Sequence, residues 1–186
     1  ARNDTAGFQN GEFLGDGGNN GSHIGYFAAG PTQSLIENSD FSGWDEGVRV
    51  FGTGMSIISS TFEHNGIGLN GGVDSDGNPW ILRASTMTNL TFSDNDIGIQ
   101  LVIGANDSLS NSQITGSTNA PSGQSSIGLY AKYIQQSQVT GLQVSGSYSN
   151  SAVQIDSGAT NDSFHANTVT NSNPTGKAWN IAANLP

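Results

Sequence analysis

The chain has 186 residues, fifteen acidic against five basic side chains, a net charge of −10, no cysteine and only 34% hydrophobic residues. Those numbers point to one domain with a thin core and remove disulfide and thiol chemistry. They also disfavour nucleic acid or an anionic membrane surface as partner, since either needs a basic face.

In chain order, two apolar residues five apart recur as Phe8/Phe13, Ile36/Phe41, Ile57/Phe62, Met87/Phe92, Leu109/Ile114, Val139/Val144 and Phe164/Val169. An apolar-x-apolar triplet follows each: Ile24-Gly25-Tyr26, Val48-Arg49-Val50, Ile67-Gly68-Leu69, Ile97-Gly98-Ile99, Ile127-Gly128-Leu129, Val153-Gln154-Ile155 and Trp179-Asn180-Ile181. In Ile57-Ile58-Ser59-Ser60-Thr61-Phe62 the polar middle suits a tight corner between two short strands, and residues 63–66 form a second corner before the third strand. Three short strands per turn, repeated about seven times over residues 1–186, predict an all-β, single-stranded, right-handed parallel β-helix forming one domain. The second apolar residues of successive pairs lie 28, 21, 30, 22, 30 and 25 apart, which excludes hexapeptide and nonapeptide solenoids of fixed short period. Inward positions stack along the axis, coils ~4.8 Å apart. Asn38, Asn89, Asn111 and Asn167, beside the tight corner, are the expected amide ladder.

No apolar run approaches the ~20 residues of a membrane helix, so no membrane insertion is expected. The opening Ala1-Arg2-Asn3 reads as a processed product or a piece of a longer protein.

This coil pattern resembles the pectin-lyase-like superfamily of parallel β-helices, over nearly the whole chain. The resemblance implies an extracellular or virion-surface protein meeting a polysaccharide along the face of the third strand. It fits polysaccharide hydrolases and lyases as well as non-catalytic rods such as tailspike shafts, which associate as homotrimers. The motifs of pectate lyases and polygalacturonases are absent: there is no Asn-Thr-Asp with Gly-His-Gly.

Strand alternation sets the middle residue of each triplet outward. The expected outward column is Gly25, Arg49, Gly68, Gly98, Gly128, Gln154 and Asn180, a trough open to a flat ligand. Beside it lie Phe27, Phe51, Asn70, Gln100, Tyr130, Asp156 and Ala182. In this register Asp45 stacks over His64 and Asp94, and Glu46 over Asn65 and Asn95. Asp45, Glu46, His64 and Asp96 are the acid/base candidates, because glycoside cleavage needs a proton donor and a second carboxylate. A lyase needs a base and a cation, for which His64 and Arg49 serve. Arg49, Phe27, Phe51, Trp80, Gln100 and Tyr130 are the substrate-binding candidates, the aromatics as stacking platforms. The opposing reading makes Asp and Asn ordinary corner residues and Arg49 a counter-ion of Asp45 or Glu46.

The longest corner, Asn70 to Thr86, carries Asp74-Ser75-Asp76-Gly77-Asn78, whose alternating oxygens resemble part of a calcium loop. Without a distal bidentate Glu the run reads first as a solvated turn. No cofactor is therefore called for, with calcium at Asp74, Asp76 and Asn78 as the one candidate. A second polar loop, Gly116 to Ser126, offers no nameable chemistry.

Overall fold

The computed structural model describes residues 6–15, 23–30, 34–72, 78 and 80–182. Every strand pair among them is parallel, and the strands stack into three long sheets of seven rungs each. The first sheet runs through Ala6–Gln9, Ser34–Glu37, Ser56–Ile58, Thr86–Thr88, Ser108–Ser110, Gln138–Thr140 and Ser163–His165. The second holds Glu12–Leu14, Asp40–Ser42, Thr61–Glu63, Thr91–Ser93, Gln113–Gly116, Gln143–Gly146 and Thr168–Val169. The third holds Ile24–Gly30, Glu46–Thr53, Ile67–Gly71, Ile97–Leu101, Ile127–Ala131, Ser151–Ile155 and Lys177–Ile181. The chain is thus an all-β parallel solenoid with three strands per coil, as the repeat predicts.

One element was not foreseen. The long strand Glu46–Thr53 pairs first with Ile67–Gly71, then hands its last residues, Gly52 and Thr53, to Leu82–Arg83. Gly104–Ala105 and Ile134–Gln135 continue this fourth, two-residue row. The stretch read as one long inserted corner from Asn70 to Thr86 therefore contains a ladder strand, too short to show any alternation.

The paired apolar positions fill the axis. Phe13, Phe41, Phe62 and Phe92 stack face to face with centroids 4.8, 5.3 and 4.6 Å apart and planes within 12° of parallel. Ile114 and Val144 continue that column. Ile36, Ile57, Met87, Leu109 and Val139 make the column of the first sheet, all buried. Parallel in-register stacking repeats the same inward position every 4.8 Å or so, which is the spacing at which flat rings meet. At the last coil Trp179 and Ile181 stand 38% and 51% exposed. They line an apolar cavity of about 470 Å³ with Ile155 and Phe164.

The corners differ from expectation. Asn38, Asn89 and Asn111 adopt φ of 50°, 55° and 49°, so they turn the chain in the left-handed region, where Asn is tolerated better than most residues. The inward corner position is one residue later: Ser39 N–H donates to Ser60 Oγ, Leu90 N–H to Ser112 Oγ and Leu142 N–H to Asn167 Oδ1. Of the four predicted ladder residues only Asn167 satisfies buried backbone in this way. The amide ladder lies instead at the corner between the second and third sheets. There Asn65 Nδ2 donates to Asn95 Oδ1 at 3.0 Å, and both amides also donate to carbonyls, of Phe41 and Phe62.

Candidate functional site

The register of the third sheet decides what faces outward. Glu46 pairs with Ile67 and Arg49 with Asn70, and the row continues through Gln100, Tyr130, Gln154 and Asn180. Phe27 begins it beside Arg49. Arg49, Gln154 and Asn180 therefore share one row with Asn70, Gln100 and Tyr130, whereas the sequence reading had split them between two columns. That reading aligned Val48-Arg49-Val50 with Ile67-Gly68-Leu69, when its true counterpart is Leu69-Asn70-Gly71.

The glycine trough is overturned by the same register. Gly47, Gly68, Gly98 and Gly128 are buried. A Cβ on Gly68 would lie 2.7 Å from Phe92 Cδ1, one on Gly98 would meet Ile114 Cγ2 at 2.6 Å, and one on Gly128 would meet Val144 Cγ1 at 2.6 Å. These glycines point inward and make room for the second-sheet column. The outer face is built of side chains.

Those side chains are joined across coils. Arg49 donates from Nε to Glu46 Oε2 at 2.7 Å and from Nη2 to Glu46 Oε1, a bidentate pair. Asn70 Nδ2 donates to the same Oε2 at 3.0 Å, and Gln100 Nε2 to Asn70 Oδ1 at 3.2 Å. Farther along, Tyr130 donates its hydroxyl to Asp156 Oδ2 at 2.8 Å, while Gln154 Nε2 donates to Asp156 Oδ1 at 3.1 Å. Burial, then the Asp156 hydrogen bond and charge, pushes the Tyr130 phenol up to about 12, so it stays a donor. At the near end Phe27, Phe51 and Trp80 form a chain of tilted rings, 5.6 and 5.8 Å between centroids. Phe27 is 38% and Trp80 54% exposed. The six predicted binding residues are thus all on this face, with Phe27, Phe51 and Trp80 clustered at one end of the polar row and Tyr130 within it.

The acid/base candidates fall into two groups. Asp45, Glu46 and Asp96 line one shallow groove of about 410 Å³ together with Ile67, Ile97 and Ser126. Asp45 Oδ2 accepts the His23 N–H at 2.9 Å. Asp96 Oδ1 accepts both the N–H and the hydroxyl of Ser122, at 2.8 and 2.7 Å. Ser122 belongs to the loop Gly116 to Ser126, in which the sequence offers no nameable chemistry; only its return onto the neighbouring coil reveals the contact. His64 lies elsewhere, exposed at a left-handed corner with φ 57°, in line with Gly43 and Asp94. The expected stacking of Asp45 over His64, and of Glu46 over Asn65 and Asn95, is therefore wrong by two residues. Asp45 aligns with Gly66 and Asp96, and Glu46 with Ile67 and Ile97.

Of the calcium candidates, Asp74 and Asp76 lie outside the described residues, and Asn78 is exposed. Among the described residues no three His, Asp or Glu side chains converge to hold a metal ion. No described helix is long and apolar enough to cross a membrane.

Residues 21–184 match the family model described as a right handed beta helix region. No curated protein matches the chain. Among solved structures, the A-module of the mannuronan C-5 epimerase AlgE4 of Azotobacter vinelandii is similar, with a TM-score of 0.53 and 15% identity. The match covers 87% of this chain and 53% of that module, so the chain spans about half the module's length. At that identity the likeness is one of fold.

Proposed function

The chain belongs to the right-handed beta helix family, and from that premise we propose that it binds a polysaccharide laid along the outer row of its third sheet. The observation that carries this reading is the continuity of the row: an aromatic cluster of Phe27, Phe51 and Trp80, then Arg49, Gln100, Tyr130 and Gln154 along the rod, with the buried Asn70 bracing Glu46 and Gln100 between them. Exposed rings stack on the apolar faces of sugars, and planar amides pair with vicinal hydroxyls as donor and acceptor together. A row repeating at the coil spacing suits a chain-like ligand better than a compact one. That the A-module of similar fold is named for a reaction on mannuronan supports the same ligand class. Such polymers are met outside the cell, and there we place the encounter.

Binding without turnover is the form the contacts favour. Each groove carboxylate already accepts internal donors: Glu46 from Arg49 and Asn70, Asp96 from Ser122, Asp45 from His23. A general acid must present a proton to a glycosidic oxygen, and a base must be open to one. Both Glu46 oxygens, Asp96 Oδ1 and Asp45 Oδ2 are engaged in holding loops and rows together.

A panel of immobilised glycans tests the reading, with reducing-end and unsaturated-uronate assays on every hit. Retention on at least one polysaccharide without product supports it. Product formation abolished by Asp96→Asn would establish hydrolase or lyase chemistry instead. No retention, together with a solution mass of three chains, would favour an adhesive or structural rod.

A further inference from the structure

Resting on the polysaccharide reading, we propose that Glu46 makes this face selective for neutral polysaccharides by occupying the guanidinium that a uronate carboxylate would need. Arg49 is the cation at the head of the row, and its fork is matched by both oxygens of Glu46. This is the geometry in which arginine recognises any carboxylate. The side chains of Arg49 and Glu46 are only 11% and 13% exposed. Asn70, 3% exposed, fixes the shared oxygen from the next coil. The internal carboxylate is tethered three residues away, so an incoming one competes against a partner of high effective concentration.

The rest of the row offers no substitute. Lys177 donates to Asn180 on the last coil, Lys132 lies over the Tyr133 ring, and Arg83 belongs to the fourth row. Between Arg49 and Asn180 the row is amide, amide, phenol and amide, and the charge beside it is Asp156. Asp45 and Asp96 add negative charge next to Glu46. A polyuronate brings one negative charge per sugar to this surface and is repelled. A neutral glycan brings hydroxyls, which both donate to and accept from the accessible amides of the row.

Affinity electrophoresis of the whole protein through gels containing a neutral β-glucan, a galactomannan, polymannuronate or polygalacturonate tests this directly. Wild type should be retarded by a neutral polymer with an apparent Kd at least roughly tenfold below that for either polyuronate. Glu46→Gln keeps the size of the side chain and removes its charge, and should gain polyuronate retardation. The double change Glu46→Gln with Arg49→Gln should lose that gain, which separates the freed guanidinium from a general change in net charge. Wild type bound as tightly by a polyuronate as by the neutral polymers would overturn the selectivity while leaving polysaccharide binding intact. A Glu46→Gln variant with no gain would also overturn it. Retardation by none of the four polymers would remove both the selectivity and the reading beneath it.

Discussion

Asn65 and Asn95 occupy the same corner on consecutive coils, and the amide of Asn65 donates to the side-chain oxygen of Asn95 across 3.0 Å. That oxygen also accepts the backbone N–H of Asn65 at 2.9 Å, and Asn95 Nδ2 closes onto Phe62 O. Both residues are buried, at 0% and 3% exposure. Asn95→Ala leaves two donors and one carbonyl without partners in a dry corner, and should cost about 2–4 kcal/mol. Asn89→Gly, at an exposed left-handed corner, should be neutral or stabilising by roughly 0.5 kcal/mol. Urea unfolding of the two variants measures the contrast, and equal losses would restore Asn89 to a ladder role.

The inward glycines make a second test. A methyl at Gly68 meets the Gly98 carbonyl oxygen and Phe92 Cδ1, each at 2.7 Å, between backbone and a stacked ring that has neighbours on its other face. Gly68→Ala should lower stability by about 1–3 kcal/mol through overpacking. On an open outer trough the same change would be harmless, so an unchanged thermal midpoint would reject the inward assignment.

Acidity should strengthen the rod over one interval. Burial pushes the Asp107 carboxyl up to about 6, against the opposing pull of the Ser85 and Ala105 backbone, the Ser85 hydroxyl and Arg83. In the unfolded chain it titrates near 3.9. Between those values the folded state holds a proton that the unfolded state has released, so stability falls as pH rises from about 4 to about 6. The ionised group at pH 7 then costs on the order of 2–3 kcal/mol. Asp162, raised by burial in the same corner row, adds the same sign. Stability of wild type relative to Asp107→Asn, followed in urea, should improve on going from pH 7 to pH 5. A constant difference would show that Asp107 does not titrate there.

Trp80 separates binding from folding. It is half exposed, its ring lies tilted against that of Phe51, and its backbone N–H donates to Gly72 O just beyond the end of the Ile67–Gly71 strand. Trp80→Ala should leave the unfolding midpoint within about 0.5 kcal/mol of wild type. It should weaken retardation by a bound glycan roughly tenfold, the effect of about 1.4 kcal/mol. A loss of stability without a loss of affinity would make the ring an anchor for its loop.

What could be read in the sequence was whatever each coil repeats by itself. Ile57 and Phe62 must both point to the axis because a two-residue corner separates two short strands, and the same pattern recurs in every turn. Hence the solenoid, its direction of stacking and its phenylalanine column were legible. The outward placement of Arg49, Gln100 and Tyr130 was legible as well, since each alternates with buried neighbours. Relations between coils were not. Whether Val48 stands beside Ile67 or Leu69 depends on how many residues the intervening corners consume, and corners of different length carry no shared pattern. A shift of two residues keeps the inward-outward alternation intact while exchanging every neighbour, so Asp45 was matched with His64 instead of Gly66. Glycine compounded the error, because a residue without a side chain gives no sign of the face it lies on. Only the closed coil, in which Gly68 must clear the Phe92 ring, decides that. The Glu46–Arg49–Asn70 contact had the same origin: two of its members are three residues apart in sequence, but the third arrives from the next coil.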